Sequence, residues 1–331
     1  MVGLSIVVGA ILCGVVVGET RIPLAAVFQT IANKLYNAGY PLDPIDEGIL
    51  WSYRLTRSIV AACCGAMLAI SGVVLQALLR NALAEPYLLG ISAGASTGAV
   101  LVTVAGIGAG AVSLSMGAFA GALTAFALVA TLAHLAGGGT EKQGSVQIVL
   151  AGIAGSQLFN ALTSFVIAKS ANSDQARGIM FWLLGNLSGV RWPDVGLAIP
   201  ISIIGFLIVL WHSRALDAFT FGADAAASVG VPVRRVQAVL IITTALVTAA
   251  MVSIVGSVGF VGLVIPHAAR MVVGPQHGRL IPASAVIGAV FLVFADIGAR
   301  IIIPGQVLPI GVVTALVGAP TFALILIRGQ R

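Results

Sequence analysis

The stretch GFVGLVIPHAAR, residues 259–270, decides how this chain is read. It is apolar enough to lie in a bilayer, yet it holds the pair Pro266 and His267 and closes on Arg270. Proline removes a backbone donor from a helix and strands a carbonyl one turn earlier. Inside hydrocarbon, such a carbonyl is satisfied by a neighbouring helix. The stretch therefore predicts a membrane helix packed within a bundle. Gly259 and Gly262 would give the close approach. His267 would stay neutral, hydrogen-bonded to backbone, and Arg270 would sit at an interface, reaching headgroups or a partner.

The composition points the same way. The chain has 331 residues, 59% hydrophobic and 8% charged, where a soluble domain carries about 25% charge. That balance excludes an ordinary soluble protein, and it excludes disorder, which needs low hydrophobicity. Glycine accounts for 40 of the 331 residues, well above the usual ~7%, as expected where helices pack closely in lipid. Apolar segments fall near 2–18, 58–79, 88–110, 113–136, 146–168, 195–211, 236–256, 258–273, 281–303 and 308–327. The expected fold is an all-α, polytopic membrane protein of about ten spans, one domain over residues 1–331. Residues 2–18 read as a retained span, because no basic n-region or small-residue cleavage site accompanies them. An even number of spans puts both termini on one side. Lysine and arginine counts on the two sides are nearly equal and fix no orientation. No repeat is visible in the sequence, but transporters hide inverted repeats below sequence detection, and one is expected here.

Three connecting regions stand out. Residues 19–57 are polar and proline-bearing. Residues 171–194 are too interrupted to span and carry Trp182 and Trp192, which favour the membrane–water boundary. Residues 212–235 form the longest candidate cytoplasmic loop. Within them Asp224 is placed to N-cap a short helix, Gly230 suits the position after its end, and Pro232 stops continuation. Such a helix between two spans is a surface for gripping a partner.

The chemistry that is missing narrows the function. The three lysines, Lys34, Lys142 and Lys169, follow Asn33, Glu141 and Ala168, so no GxxxxGK[ST] phosphate loop is present. HExxH is absent, and His134, His212, His267 and His277 lack ligand spacing. Cys13, Cys63 and Cys64 read as small packing residues. The formal net charge is +6, but no basic run suggests nucleic acid. An enzyme is not expected. The clear acid within a span is Asp296, four residues before Arg300, so the two can share a helix face and pair. A proton relay at Asp296 is the other reading, because intramembrane acids mark ion pathways.

Seven motifs occur in order: RLTR (54–57), SGVVLQALLRNALAEPYLLG (71–90), WLLGNLSG (182–189), FGADAAASVGV (221–231), VGSVGFVGLVIPHAAR (255–270), FADIGAR (294–300) and LPIGVVTALVGAPTF (308–322). From about residue 50 onward, the chain resembles the permease subunit of ABC importers for ferric siderophores, haem and cobalamin, the FecCD type. The resemblance implies ten spans and a second permease copy, with a pathway between the two. It implies two cytoplasmic ATPase subunits that hold ATP and magnesium, and a substrate-binding protein that delivers cargo to the inner membrane of a bacterium. No cofactor on this chain and no nucleic acid is implied. Arg54, Arg57 and Arg300 match arginines that meet acids on the binding protein, with Asp296 expected to hold the Arg300 side of that docking surface. Residues 212–235 match the segment that enters the ATPase, through Phe221, Gly222, Asp224, Ala225, Ser228, Gly230 and Val231. Asn81 and Leu83, with Ser145 and Gln147, match the inner gate. This chain departs from the family pattern at Ala82, where proline is usual, at Gln276, often aspartate, and at Gln306, often glutamate. The expected function is import of an iron chelate, a ferric siderophore or haem, by alternating access. Cobalamin import is the alternative, and a stand-alone ion-coupled carrier the alternative of a different class.

Overall fold

The computed structural model describes residues 2–104, 106–107, 111–136, 144–170 and 172–328. Helices α1 (Val2–Val16), α2 (Leu24–Tyr36) and α3 (Pro44–Gly48) lead through a π-helical segment, Ile49–Leu55, into α4 (Thr56–Leu79). A 3-10 turn, Pro86–Leu89, precedes α5 (Ile91–Thr103); α6 (Leu114–Leu135), α7 (Gly144–Ser170) and α8 (Ser173–Leu183) follow. Then come α9 (Trp192–Trp211), α10 (Ser213–Phe219), α11 (Ala223–Ser228), α12 (Val233–Val255), α13 (Val261–Val273), α14 (His277–Ile301) and α15 (Ile310–Arg328).

Each of the ten expected spans coincides with a helix. Among the described residues, six helical stretches are long and apolar enough to cross a membrane, the longest running without a break over Pro44–Leu79. The other four are shorter: Val2–Val16, Ile91–Thr103, Val261–Val273 and Ile310–Leu324. The segment 88–110, expected as a full span, holds only the 13 residues of α5. Thirteen residues rise about 20 Å, against about 30 Å of hydrocarbon. Pro86 and Gly90, the latter at φ 76°, delay the start of that helix. α13, also 13 residues long, starts after Phe260 at φ 68°.

Broken helices leave backbone groups that hydrocarbon cannot satisfy. Here they satisfy one another. The Tyr87 hydroxyl accepts the Val258 N–H and donates to the Val258 carbonyl, both at 2.9 Å. Ser92 Oγ lies 2.9 Å from Ser257 Oγ. The N–H groups of Asn186, Ile310 and Gly311 reach the carbonyls of Val255, Gly185 and Leu184 at 2.7–3.0 Å. The starts of the two short helices are thus pinned together within the bundle.

Two runs of four helices repeat a pattern of lengths: 24, 13, 22 and 27 residues in α4–α7, then 23, 13, 25 and 19 in α12–α15. The pairing is exchanged. α4 packs on α13 and α14, while α12 packs on α5 and α6. This is the arrangement expected of an inverted repeat. α4 is the centre, buried on nearly every side. A Cβ on Gly65 would overlap the Gly288 carbonyl of α14, and one on Gly72 would overlap the Gly262 carbonyl of α13. These contacts are close because neither partner carries a side chain there.

Candidate functional site

The arginines of RLTR and Arg300 meet at one end of the bundle, on α1, the π segment, α4 and α14. Arg57 Nε donates to Asp296 Oδ1 at 2.5 Å, and its Nη1 reaches Tyr53 Oη at 2.7 Å and Ser188 Oγ at 3.0 Å. Arg300 Nε lies 3.1 Å from Asp296 Oδ2, but its N–H is aimed at the Asp296 main-chain oxygen instead, so Oδ2 faces the charge without a hydrogen bond. The expected Asp296–Arg300 pair therefore forms, and Asp296 binds Arg57 more directly than Arg300. The remaining donors serve α1. Arg300 reaches the carbonyls of Val17 and Gly14 at 2.9 Å. Arg54 reaches Val15 and Val16 at 3.1 Å, and the Thr20 carbonyl at 2.5 Å. These carbonyls at the end of α1 lack partners within the helix, and two guanidiniums cap them.

The residues that the resemblance assigns to a docking surface lie beneath the surface in the single chain. Arg54, Arg57, Asp296 and Arg300 are at most 2% exposed. Burial is matched by partners: carbonyls at the end of α1 take donors of Arg54 and Arg300, and Asp296, Tyr53 and Ser188 take those of Arg57. One carboxylate among three guanidiniums is an excess of positive charge, tolerated because the other donors are bonded.

The opposite end of α14 faces residues 212–235. This region folds as two short helices, α10 and α11, where one was expected. Asp224 is not the N-cap of α11. Gly222 is, at φ 106°, a conformation that excludes a side chain, and Asp224 falls in the first turn, where its charge suits the helix dipole. Gly230, at φ 85°, lies just past the helix end as expected. Leu216, Phe219 and Ala226 are buried in the main apolar core. Phe221 and Val229 are 82% and 71% exposed, and Asp224 and Ser228 are also exposed, with Ala225 and Val231 half-buried. The block is rooted by one face and presents the other.

The inner-gate residues are only partly gathered. Asn81 Oδ1 accepts the Leu83 N–H at 2.9 Å, a local turn formed without the expected proline, and Leu83 is half-exposed. Gln147 Nε2 donates to the Ala136 carbonyl at 2.6 Å. The Ser145 side chain lies outside the described residues. Asn81 and Gln147 share no hydrogen bond among the described residues.

The puzzle of residues 259–270 resolves around a residue that the sequence did not single out, Gln76. Pro266 frees the Gly262 carbonyl, and Gln76 Nε2 of α4 donates to it at 3.2 Å, with the Leu263 carbonyl at 3.5 Å. Arg270 Nη1 holds Gln76 Oε1 at 2.8 Å. So Arg270 is turned inward, not toward headgroups. Gly262 makes the expected close contact, but Gly259 has open space about its Cα. His267 Nδ1 is buried with no hydrogen-bond partner among the described residues, contrary to the expected backbone bond. A glutamine four residues before Arg80 on α4 carried no sequence signal, because its partner is distant in the chain.

A last feature was also missed. On α7 the exposed residues Ala154, Gln157, Asn160, Ala161, Ser164 and Ala168 fall within about a third of the circumference at 100° per residue. Leu158, Leu162 and Phe165, also exposed, take the adjoining arc. From Ala154 onward one strip is polar and small and the other apolar; earlier in α7 the exposed Val146, Leu150 and Ile153 make the first arc apolar as well.

The chain is similar along its length to membrane permeases of ABC transporters. A model of the FecCD transport family matches residues 6–328, and the chain belongs to that family. It is similar to the cobalamin import permease BtuC of Halobacterium salinarum, 41% identical over 84% of this chain and 73% of that one. It is also similar to the iron(3+)-hydroxamate import permease FhuB of Bacillus subtilis, 32% identical over 95% and 79% of the two chains. A solved structure, a metal-chelate type ABC transporter in an inward-facing conformation, matches with a TM-score of 0.83 at 27% identity, over 98% of this chain and 97% of that one.

Proposed function

We propose that the chain is the permease half-channel of a bacterial inner-membrane importer for an iron chelate, a ferric siderophore or haem. Two copies enclose the path, two ATPase subunits grip residues 212–235, and a binding protein delivers cargo at the Arg54–Arg57–Asp296–Arg300 end. The observation that carries this reading is the divided surface of the second half of α7, from Ala154 to Ala168. Gln157, Asn160 and Ser164 are costly against lipid, and intramembrane polar residues face a bundle interior or a watery cavity. Leu158, Leu162 and Phe165 suit lipid or a partner's apolar surface. The polar strip then faces the second copy across the path. Its small side chains leave room for a bulky chelate and bind it weakly, as alternating access requires.

The arginine cluster fits docking indirectly. It fixes the outer ends of α1, α4 and α14 relative to each other, and a partner's carboxylates would meet the positive field of three guanidiniums against one acid. Asp296, bonded to Arg57 and capped by Arg300, is spent on structure, which argues against a proton relay. Cobalamin is the second reading, favoured by the 41% identity with a cobalamin permease. The test is uptake by vesicles holding the permease with its ATPase, supplied with binding protein. ATP-dependent accumulation of ferric chelate but not cobalamin is expected. The opposite preference selects the second reading, and gradient-driven uptake by the permease alone would overturn both.

A further inference from the structure

α14 begins without a cap of its own: Gln276 stands at its N-cap and offers no side-chain bond. The cap comes from another element. Asp217 of α10 accepts the His277 main-chain N–H at 2.8 Å on Oδ1, and the same oxygen lies 2.7 Å from His277 Nδ1. Next to a carboxylate, which has no proton to give, Nδ1 is the donor. One oxygen thus holds the first residue of α14 by backbone and by ring. The His277 side chain is 3% exposed, and the Asp217 side chain 36%, so the contact sits at the edge of the core and is not washed by water on the histidine side. Leu216 and Phe219, beside Asp217, share one apolar cluster with Leu280 and Ile281 of α14. The Arg80 guanidinium at the end of α4 lies against Gly222, where a Cβ would stand 3.4 Å from it.

We infer that the Asp217–His277 contact is the joint through which displacement of the α10–α11 block is delivered to α14. This rests on the proposed reading of residues 212–235 as the ATPase contact. The exposed Phe221 and Val229 take up the partner's motion, and Leu216 and Phe219 keep the block from rolling. Apolar contacts slide, whereas a carboxylate bonded to a helix start and to its first ring fixes direction. α14 then acts as a lever. From His277 to Asp296 it rises about 29 Å, so a push at its start reaches the Arg57–Asp296 contact at the far end. Asp217 and His277 are positioning residues: neither touches cargo or nucleotide.

The test uses the whole complex, permease with its co-purified ATPase, in vesicles with binding protein and ferric chelate, read as chelate taken up per ATP hydrolysed. Asp217→Ala removes both bonds and should lower that ratio about tenfold, a coupling change of ordinary size, while ATPase still co-purifies. His277→Phe keeps the backbone cap and the ring's bulk but loses the Nδ1 bond, and should lower the ratio less. Val129→Ala, in a separate apolar cluster on α6, should lower thermal stability and leave the ratio of the assembled complexes alone. A lowered melting temperature with an unchanged ratio in Asp217→Ala would mean a cap only, and would overturn the joint. Where Asp217→Ala does not accumulate, His277→Phe decides: a fallen ratio supports the joint, an unchanged one overturns it. If Phe221→Asp leaves the ATPase bound, the reading of the loop has failed, and that failure is separate from the failure of the joint.

Discussion

The two ends of the bundle treat charge in opposite ways. At one end, three arginines and an aspartate are buried and bonded to carbonyls, hydroxyls and each other. At the other, Arg80, Arg214, Arg234, Arg235 and Arg279 are exposed, and Phe221 and Val229 stand in the open among them. The first end is internally complete. The second presents its charge and apolar side chains outward, where the proposed ATPase would meet them. The lesson is that the same residue type holds a fold where its donors are occupied by the protein and leaves them to the surroundings where they are not, and burial tells the two apart.

The strongest way to break this comparison is Asp296→Ala. It strips Arg57 of its carboxylate and leaves buried positive charge uncompensated, which costs about 3–5 kcal/mol. Membrane accumulation and detergent melting should both collapse, and normal melting would show that the cluster does not hold the fold. Next is Gly72→Ala, which drives a methyl group into the Gly262 carbonyl and should cost about 1–3 kcal/mol. Gly259→Ala, with open space around it, is the control and should melt as the parent does. Gln76→Leu leaves the Gly262 carbonyl and one Arg270 donor unmet and should cost about 1–3 kcal/mol. If Gln76→Leu is neutral, the proline carbonyl has found another partner.

Glu85, in the connection between α4 and α5, gives a smaller effect. Burial pushes its carboxyl above the usual carboxylate range. The folded state therefore favours the protonated form. Its contribution to stability is full below the unfolded value of about 4.3 and is lost as pH rises through the higher folded value. Glu85→Gln should flatten that part of the melting-temperature profile, and an unchanged profile would place the acid in water. Smallest in stability is Phe221→Asp. It should shift stability by no more than about 0.5 kcal/mol while abolishing co-purification of the ATPase. A large loss of stability would mean that the exposed face belongs to the core after all.

Much of this was legible in advance. The ten spans could be read from apolar runs, because a bilayer imposes length and apolarity on every crossing. The family was legible because seven motifs keep their order. What could not be read were relations between distant residues. RLTR looked like a surface motif, because arginine near a span end usually faces water; nothing local reveals that the end of α1 offers it carbonyls. Gln76 was silent for the same reason, its partner lying 186 residues away in the sequence. The α7 strip carries no ionisable group from Ala154 to Ala168; its amides and hydroxyls mark a polar face only once the helix has set which residues share a side. Gly222 defeated the cap rule because Asp224 fits the composition of a cap, while the chain's turn demanded a glycine two residues earlier.

The hydroxyl pins at Tyr87 and Ser92 have a mechanical meaning. Where two continuous helices cross, turning one against the other breaks no ladder but strains every side chain along the seam. Where two helices begin at the same point, held by a few hydroxyl bonds worth about 1 kcal/mol each, the halves can pivot for little energy. The middle of this bundle is fastened by a tyrosine hydroxyl and a serine pair where two helices start, not by a continuous seam of side chains.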